Sequence, residues 1–114
     1  MIFVIDDDEI MAECVAKACG EKEVRIFSDA IAAMRALDQG LPEMIFMDVM
    51  LTGPDGFSFL NETMSYADTM NIPVVIISAV DFGKVNLGDY GVVGILKKET
   101  MKPEDIKDYV ERYC

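Results

Sequence analysis

Five short apolar runs at near-regular intervals limit what this chain can become: Ile2-Phe3-Val4-Ile5, Val24-Arg25-Ile26-Phe27, Met44-Ile45-Phe46-Met47, Val74-Val75-Ile76-Ile77 and Val92-Val93-Gly94-Ile95-Leu96. Four of the five lack polar alternation, as strands covered on both faces do. Between them lie segments with helical spacing. Ile10, Met11, Cys14, Val15 and Ala18 form one stripe, and Ile31, Met34 and Leu37 a second. Phe57, Leu60 and Met64 form a third, and Ile106, Tyr109, Val110 and Tyr113 a fourth. Gly20 and Gly40 read as stops for the first two helices, Ser28 or Asp29 as the cap of the second, and Pro103 as first-turn residue of the last. Val80 to Gly91, interrupted by Gly83 and Gly88, reads as a short or mobile helix. Strand and helix in alternation predict an α/β domain, a doubly wound five-stranded parallel sheet with helices on both faces. With 114 residues and neither linker nor repeat, residues 1–114 are expected to form a single domain.

In such a sheet the site lies beyond the carboxyl ends of the strands, where strand order reverses. Strand 1 ends in Asp6-Asp7-Asp8, strand 3 in Asp48, strand 4 in Ser78-Ala79 and strand 5 in Lys97-Lys98. If strands 1 and 3 are neighbours, Asp6, Asp7 and Asp48 converge. Three ionised carboxylates so close need a compensating cation, and an oxygen-only donor set suits Mg²⁺ or Mn²⁺. Lys98 would add a fixed positive charge and Ser78 a hydroxyl donor. Metal, ammonium and hydroxyl around one carboxylate make a receptor for a tetrahedral dianion, with that carboxylate as nucleophile. The chemistry this suggests is phosphoryl transfer to an aspartate. Lys97 is the rival of Lys98, because a one-residue slip would exchange them. Asp8 and Glu9 read as cap and first-turn charge of the first helix, and Asp55-Gly56 as turn chemistry.

Composition narrows the rest. Ten Lys and Arg against 21 Asp and Glu give a formal charge of −11, with no His. This excludes binding of nucleic acid or anionic membrane through bulk charge, and excludes His-based triads, His-metal sites and phosphohistidine on this chain. Cys14, Cys19 and Cys114 are odd in number and do not form a disulfide framework. With carboxylates after only five residues, the opening MIFVIDDD is expected not to act as a signal peptide, and no apolar run reaches the roughly 20 residues of a membrane span. A cytoplasmic protein is expected.

At these residues the sequence resembles the receiver domain of two-component response regulators, over its whole length. The likeness rests on Asp6-Asp7, Asp48, Asp55-Gly56, Ser78-Ala79 and Lys98, each placed after a strand in that order. It implies a flavodoxin-like fold of strand order 2-1-3-4-5 and a stand-alone receiver. It further implies that Asp48 accepts a phosphoryl group from the phosphohistidine of a sensor histidine kinase or phosphotransfer protein. Asp7, Asp48 and the backbone carbonyl of Met50 would bind the metal, and Asp6 would hold it mainly through water. Ser78 and Lys98 would contact the phosphoryl group. The resemblance also implies that the domain catalyses its own phosphorylation, and that output goes to a downstream protein through the fourth helix, fifth strand and fifth helix. The oligomeric state stays open between a monomer and a phosphorylation-dependent dimer.

Three residues depart from the family pattern: Thr52 and Glu99 stand where Pro is usual, and Ile95 where a switch aromatic is usual. Met50 and Val80, two positions beyond Asp48 and Ser78, are apolar and cannot orient a hydrolytic water, so a long-lived phosphoryl group is expected. Two other readings remain at this stage. One is a pseudo-receiver that binds partners without phosphorylation. The other is a haloacid-dehalogenase-like phosphatase, suggested by the D-x-D form of residues 6–8 and opposed by Ile10 and the lack of a cap.

Overall fold

The computed structural model describes residues 1–48, 56–79 and 91–114, with the backbone alone at residues 56 and 57. The expectations placed on Met50, Thr52, Asp55 and the 80–90 stretch fall outside the described residues. The elements follow one another as β1 (Ile2–Ile5), α1 (Glu9–Ala18), β2 (Val24–Phe27), α2 (Ala30–Leu37), β3 (Met44–Asp48), α3 (Gly56–Met64), β4 (Val74–Ser78), β5 (Val92–Lys97) and α4 (Pro103–Tyr113). All strand pairs are parallel, and the sheet order is β2-β1-β3-β4-β5, as expected.

β1, β3 and β4 are buried along their whole length, and up to the terminal Asp48 and Ser78 their side chains are apolar on both faces. The alternate residues feed two cores. Phe3, Ile5, Ile45, Met47 and Ile76 meet α2 and α3 on one face. Ile2, Val4, Met44, Phe46 and Ile77 meet α1 and α4 on the other. Both edges differ from this pattern. In β2, Arg25 and Ile26 are exposed, and the Arg25 guanidinium lies 5.2 Å from the Phe27 ring centroid. In β5 burial alternates, leaving Val93 and Ile95 exposed, because an edge strand is covered less than the centre. β5 was expected to be covered on both faces; the alternation corrects that.

The helix stripes also need correction. α2 buries Ala30, Ala33 and Ala36, while Ile31 is exposed and Met34 and Leu37 only flank the core. α1 buries Ala12, Val15 and Ala18 and leaves Ile10 77% exposed. Small side chains let a helix lie close on the sheet, so the facing residues are alanines and the bulky ones spread to the sides. α4 follows the expected stripe, with Ile106 and Val110 buried.

Caps fix the helix ends. Asp8 Oδ1 accepts from Ile10 and Met11 N–H at 3.0 and 3.2 Å, and Asp29 Oδ1 from Ala32 N–H at 2.7 Å. Gly20, at φ +71°, follows the α1 C-cap in the left-handed region. α2 ends at Leu37 with Asp38 as cap, three residues before the expected stop at Gly40. Gly94 has a packing role that spacing alone did not reveal. A Cβ there would run into the Tyr109 hydroxyl, so only glycine lets α4 sit on β5 at this point. The β4–β5 register shifts beside it, between Val74 and Val75.

Candidate functional site

β1 and β3 are hydrogen-bonded neighbours with Ile5 opposite Met47, so the next residues, Asp6 just past β1 and Asp48 at the end of β3, stand side by side at the sheet's carboxyl end. Asp6, Asp7 and Asp48 each offer a carboxylate oxygen, and these oxygens lie within 4.8 Å of one another. Asp6 and Asp48 are both 4% exposed, whereas Asp7 faces solvent. Lys98 Nζ donates to Asp48 Oδ2 at 2.9 Å and stands 3.7 Å from Asp6 Oδ2. Register explains the choice between the two lysines. Lys97 pairs with Ser78 at the end of β5 and is exposed, while Lys98 turns into the notch, its N–H bonded to the Ser78 carbonyl at 2.9 Å. Ser78 is fully buried at the end of β4. Thus Asp6, Asp7, Asp48 and Lys98 converge, and Ser78 anchors the backbone from which Lys98 springs.

Asp8 does more here than capping predicts. Its N–H donates to Asp6 Oδ1 at 2.9 Å while its carboxylate caps α1, so one residue both orients Asp6 and starts the helix. Three consecutive aspartates at a strand-to-helix junction were the available signal.

The electrostatics follow from burial. Desolvation is the main reason that the Asp6 carboxyl is pushed up to about 6, with the Asp48 and Asp7 charges adding to it. The Asp8 N–H and Lys98 oppose that rise. For Lys98, burial disfavours the ammonium, but the hydrogen bond to Asp48 and the nearby Asp6 outweigh it and hold the amine above its usual range. Three carboxylates against one ammonium leave a formal charge of 1 − 3 = −2 in the notch. An oxygen-only donor set with two surplus negative charges fits a hard divalent cation.

Comparison with known proteins now decides the family. The sequence profile described as "Response regulator receiver domain" matches residues 2–111. This chain belongs to that family. It is 37% identical over 82 residues to the response regulator PleD of Caulobacter vibrioides, an alignment covering 70% of this chain and 18% of that protein. To protein-glutamate methylesterase/protein-glutamine glutaminase 1 of Cereibacter sphaeroides it is 35% identical over 81 residues, covering 67% of this chain and 21% of that one. The receiver domain thus spans about a fifth of these curated relatives. Among solved structures, it superimposes on the receiver domain of NtrX from Brucella abortus with TM-score 0.80 and 27% identity, covering 99% and 97% of the two chains. The receiver domain of a Pseudomonas aeruginosa sensor histidine kinase, which holds a magnesium ion in its active-site cleft, shares the fold at TM-score 0.81 and 21% identity, covering 98% and 94%. As a receiver domain, the chain is a component of two-component signalling. No helix among its described residues is long and apolar enough to cross a membrane.

Proposed function

We propose that this receiver domain, taken as one unit over residues 1–114, accepts a phosphoryl group on Asp48 from the phosphohistidine of a sensor histidine kinase or phosphotransfer protein. The observation carrying this reading is the convergence of three strand-end carboxylates on one ammonium: Asp6, Asp7 and Asp48 within 4.8 Å, with Lys98 on Asp48 at 2.9 Å. An Asp48 carboxylate oxygen attacks phosphorus, the phosphorus–nitrogen bond to the imidazole breaks, and the imidazole leaves with the bonding pair and takes up a proton. Lys98 stays within reach of the oxygens on which charge develops, and its position is fixed through the Ser78 carbonyl. The Ser78 hydroxyl is assigned as a further donor to the phosphoryl group. Asp6 and Asp7, with Asp48 and the Met50 carbonyl, would hold Mg²⁺ or Mn²⁺, which when bound supplies positive charge to the transferring group. The Asp6 carboxylate is oriented for that task by the Asp8 N–H.

In this reading the domain works in the cytoplasm, and output is a contact with a downstream protein, since a surface of charge −11 repels nucleic acid and anionic membrane alike. Incubation with acetyl phosphate and Mg²⁺ followed by intact-mass measurement tests it. An adduct of one phosphoryl group, lost with EDTA present and lost in Asp48→Asn, is the expected result. An unmodified wild-type chain would favour a pseudo-receiver that works without phosphorylation.

A further inference from the structure

Parallel strands with helices returning antiparallel place the helix C-termini at the sheet edge opposite the acidic notch. There, between the ends of α2 and α3, runs a groove of about 290 Å³. Its lining is apolar at Met34, Leu37 and Tyr66 and acidic at Asp38, Glu62 and Asp68. Met34 and Leu37 rest on the core beneath, while the Tyr66 ring is 55% exposed and borders the groove. The Tyr66 hydroxyl donates to Glu62 Oε1 at 3.2 Å, and the Glu62, Asp38 and Asp68 charges together push its titration upward. All three carboxylates therefore act on the same aromatic. Arg35 is the single basic residue of the lining, so the groove carries a formal charge of 1 − 3 = −2.

These features choose among occupants. A second copy of this chain would bring its own charge of −11 against a negative groove, and nucleic acid or anionic lipid would be repelled likewise. A free metal ion would leave the apolar lining unused. A cationic side chain flanked by apolar ones uses both parts: the head neutralises the carboxylates and can lie against Tyr66, and its neighbours cover Met34 and Leu37. A space of about 290 Å³ takes one or two side chains. We propose that the α2–α3 groove docks a segment of a partner protein that carries Lys or Arg between apolar residues. Because groove and notch occupy opposite edges of the sheet, such a partner leaves Asp48 accessible.

The test uses the full chain, isotope-labelled for NMR and saturated with Mg²⁺ so that the notch does not compete for cations. Three fluorescent peptides serve as probes: LLKRLL, SSKRSS with the same charge and no apolar flanks, and LLEELL with the charge reversed. LLKRLL is expected to bind more tightly than the other two, with shift changes confined to residues 34–38 and 62–69. Tyr66→Ala, an exposed truncation, and the pair Glu62→Gln/Asp68→Asn should each weaken it about tenfold. The pair Glu104→Gln/Glu111→Gln, removing two exposed charges from α4, should not. Equal affinity for SSKRSS, shifts spread over the acidic surface, an equal loss in the α4 pair, or no binding by LLKRLL at millimolar concentration would each overturn the proposal.

Discussion

Two clusters of one design sit at opposite edges of the sheet and behave in opposite ways. At the carboxyl edge Lys98 meets Asp48 and Asp6, and the carboxylates are almost wholly buried. At the amino edge Glu43 meets the Met1 ammonium at 2.8 Å and Lys22 at 3.7 Å, with all three groups in contact with solvent. Burial pushes Asp6 up to about 6. At Glu43 the hydrogen bond from the Met1 ammonium leads, and the carboxyl is pulled below its usual range. The same ingredients give opposite shifts because water is excluded from one cluster and not from the other. The pH dependences therefore oppose each other. Asp6 contributes stability that is present below its ordinary value of 3.8 and is lost as pH rises through about 6. Glu43 contributes stability present above its ordinary value of 4.5 and lost as pH falls through its depressed one.

The largest expected effect comes from Asp48, the proposed phosphoacceptor. Asp48→Asn should abolish labelling by acetyl phosphate outright while leaving the circular dichroism spectrum intact, since an amide fills the same space and one of three repelling charges is gone. Labelling that persisted would move the acceptor to another carboxylate. Next comes Lys98→Ala, which leaves Asp6 and Asp48 buried without their ammonium. Loss of a buried partner should cost about 3 kcal/mol in metal-free buffer at pH 7.5, read by urea denaturation. That loss should shrink at pH 4.5, where Asp6 is protonated. A loss independent of pH would mean that Lys98 acts through packing alone.

A smaller effect is expected from Mg²⁺. At a hundredfold its dissociation constant, the ion should stabilise the fold by about 2.7 kcal/mol at pH 7.5. Below pH 6 the gain should fall, because a proton on Asp6 competes with the ion. An equal gain at pH 5 and 7.5 would remove Asp6 from the metal site.

The contrast also marks what was legible beforehand. The β1, β3 and β4 strands could be read because a strand buried on both faces is apolar throughout, and Asp6 and Asp48 stood out as the first charges after such runs. The ends of the strands therefore gave the notch. Spacing from Gly91 and alternation along the strand favoured Lys98 over Lys97, and a one-residue slip would have exchanged them; the β4–β5 register, with its shift at Val74/Val75, is what excludes the slip. The α2 face, and Ile10 on α1, were misread for a related reason. Bulk marks a stripe in sequence, but close approach to a sheet is made by Ala30, Ala33 and Ala36, whose own hydrophobic signal is weak. The acidic groove at Tyr66 left no trace either, since its residues come from two helices and a turn that only packing brings together.

The smallest expected effect tests the exposed cluster. Glu43→Gln removes a carboxylate that has a cation on either side, so a count of contacts would rank it beside Lys98→Ala. Glu43 and Lys22 side chains are 42% and 39% exposed, and water and salt screen charges that stand in them. Such pairs contribute little once the entropy of fixing two side chains is set against them. Glu43→Gln should therefore leave the thermal midpoint within experimental scatter at physiological salt and pH 7, with a difference emerging only at low ionic strength. A loss as large as that of Lys98→Ala under the same conditions would show that the amino edge is as shielded from water as the notch, and the comparison would collapse. Persistence of the loss in high salt would locate the error in the assumed screening, because only charges withdrawn from solvent escape it.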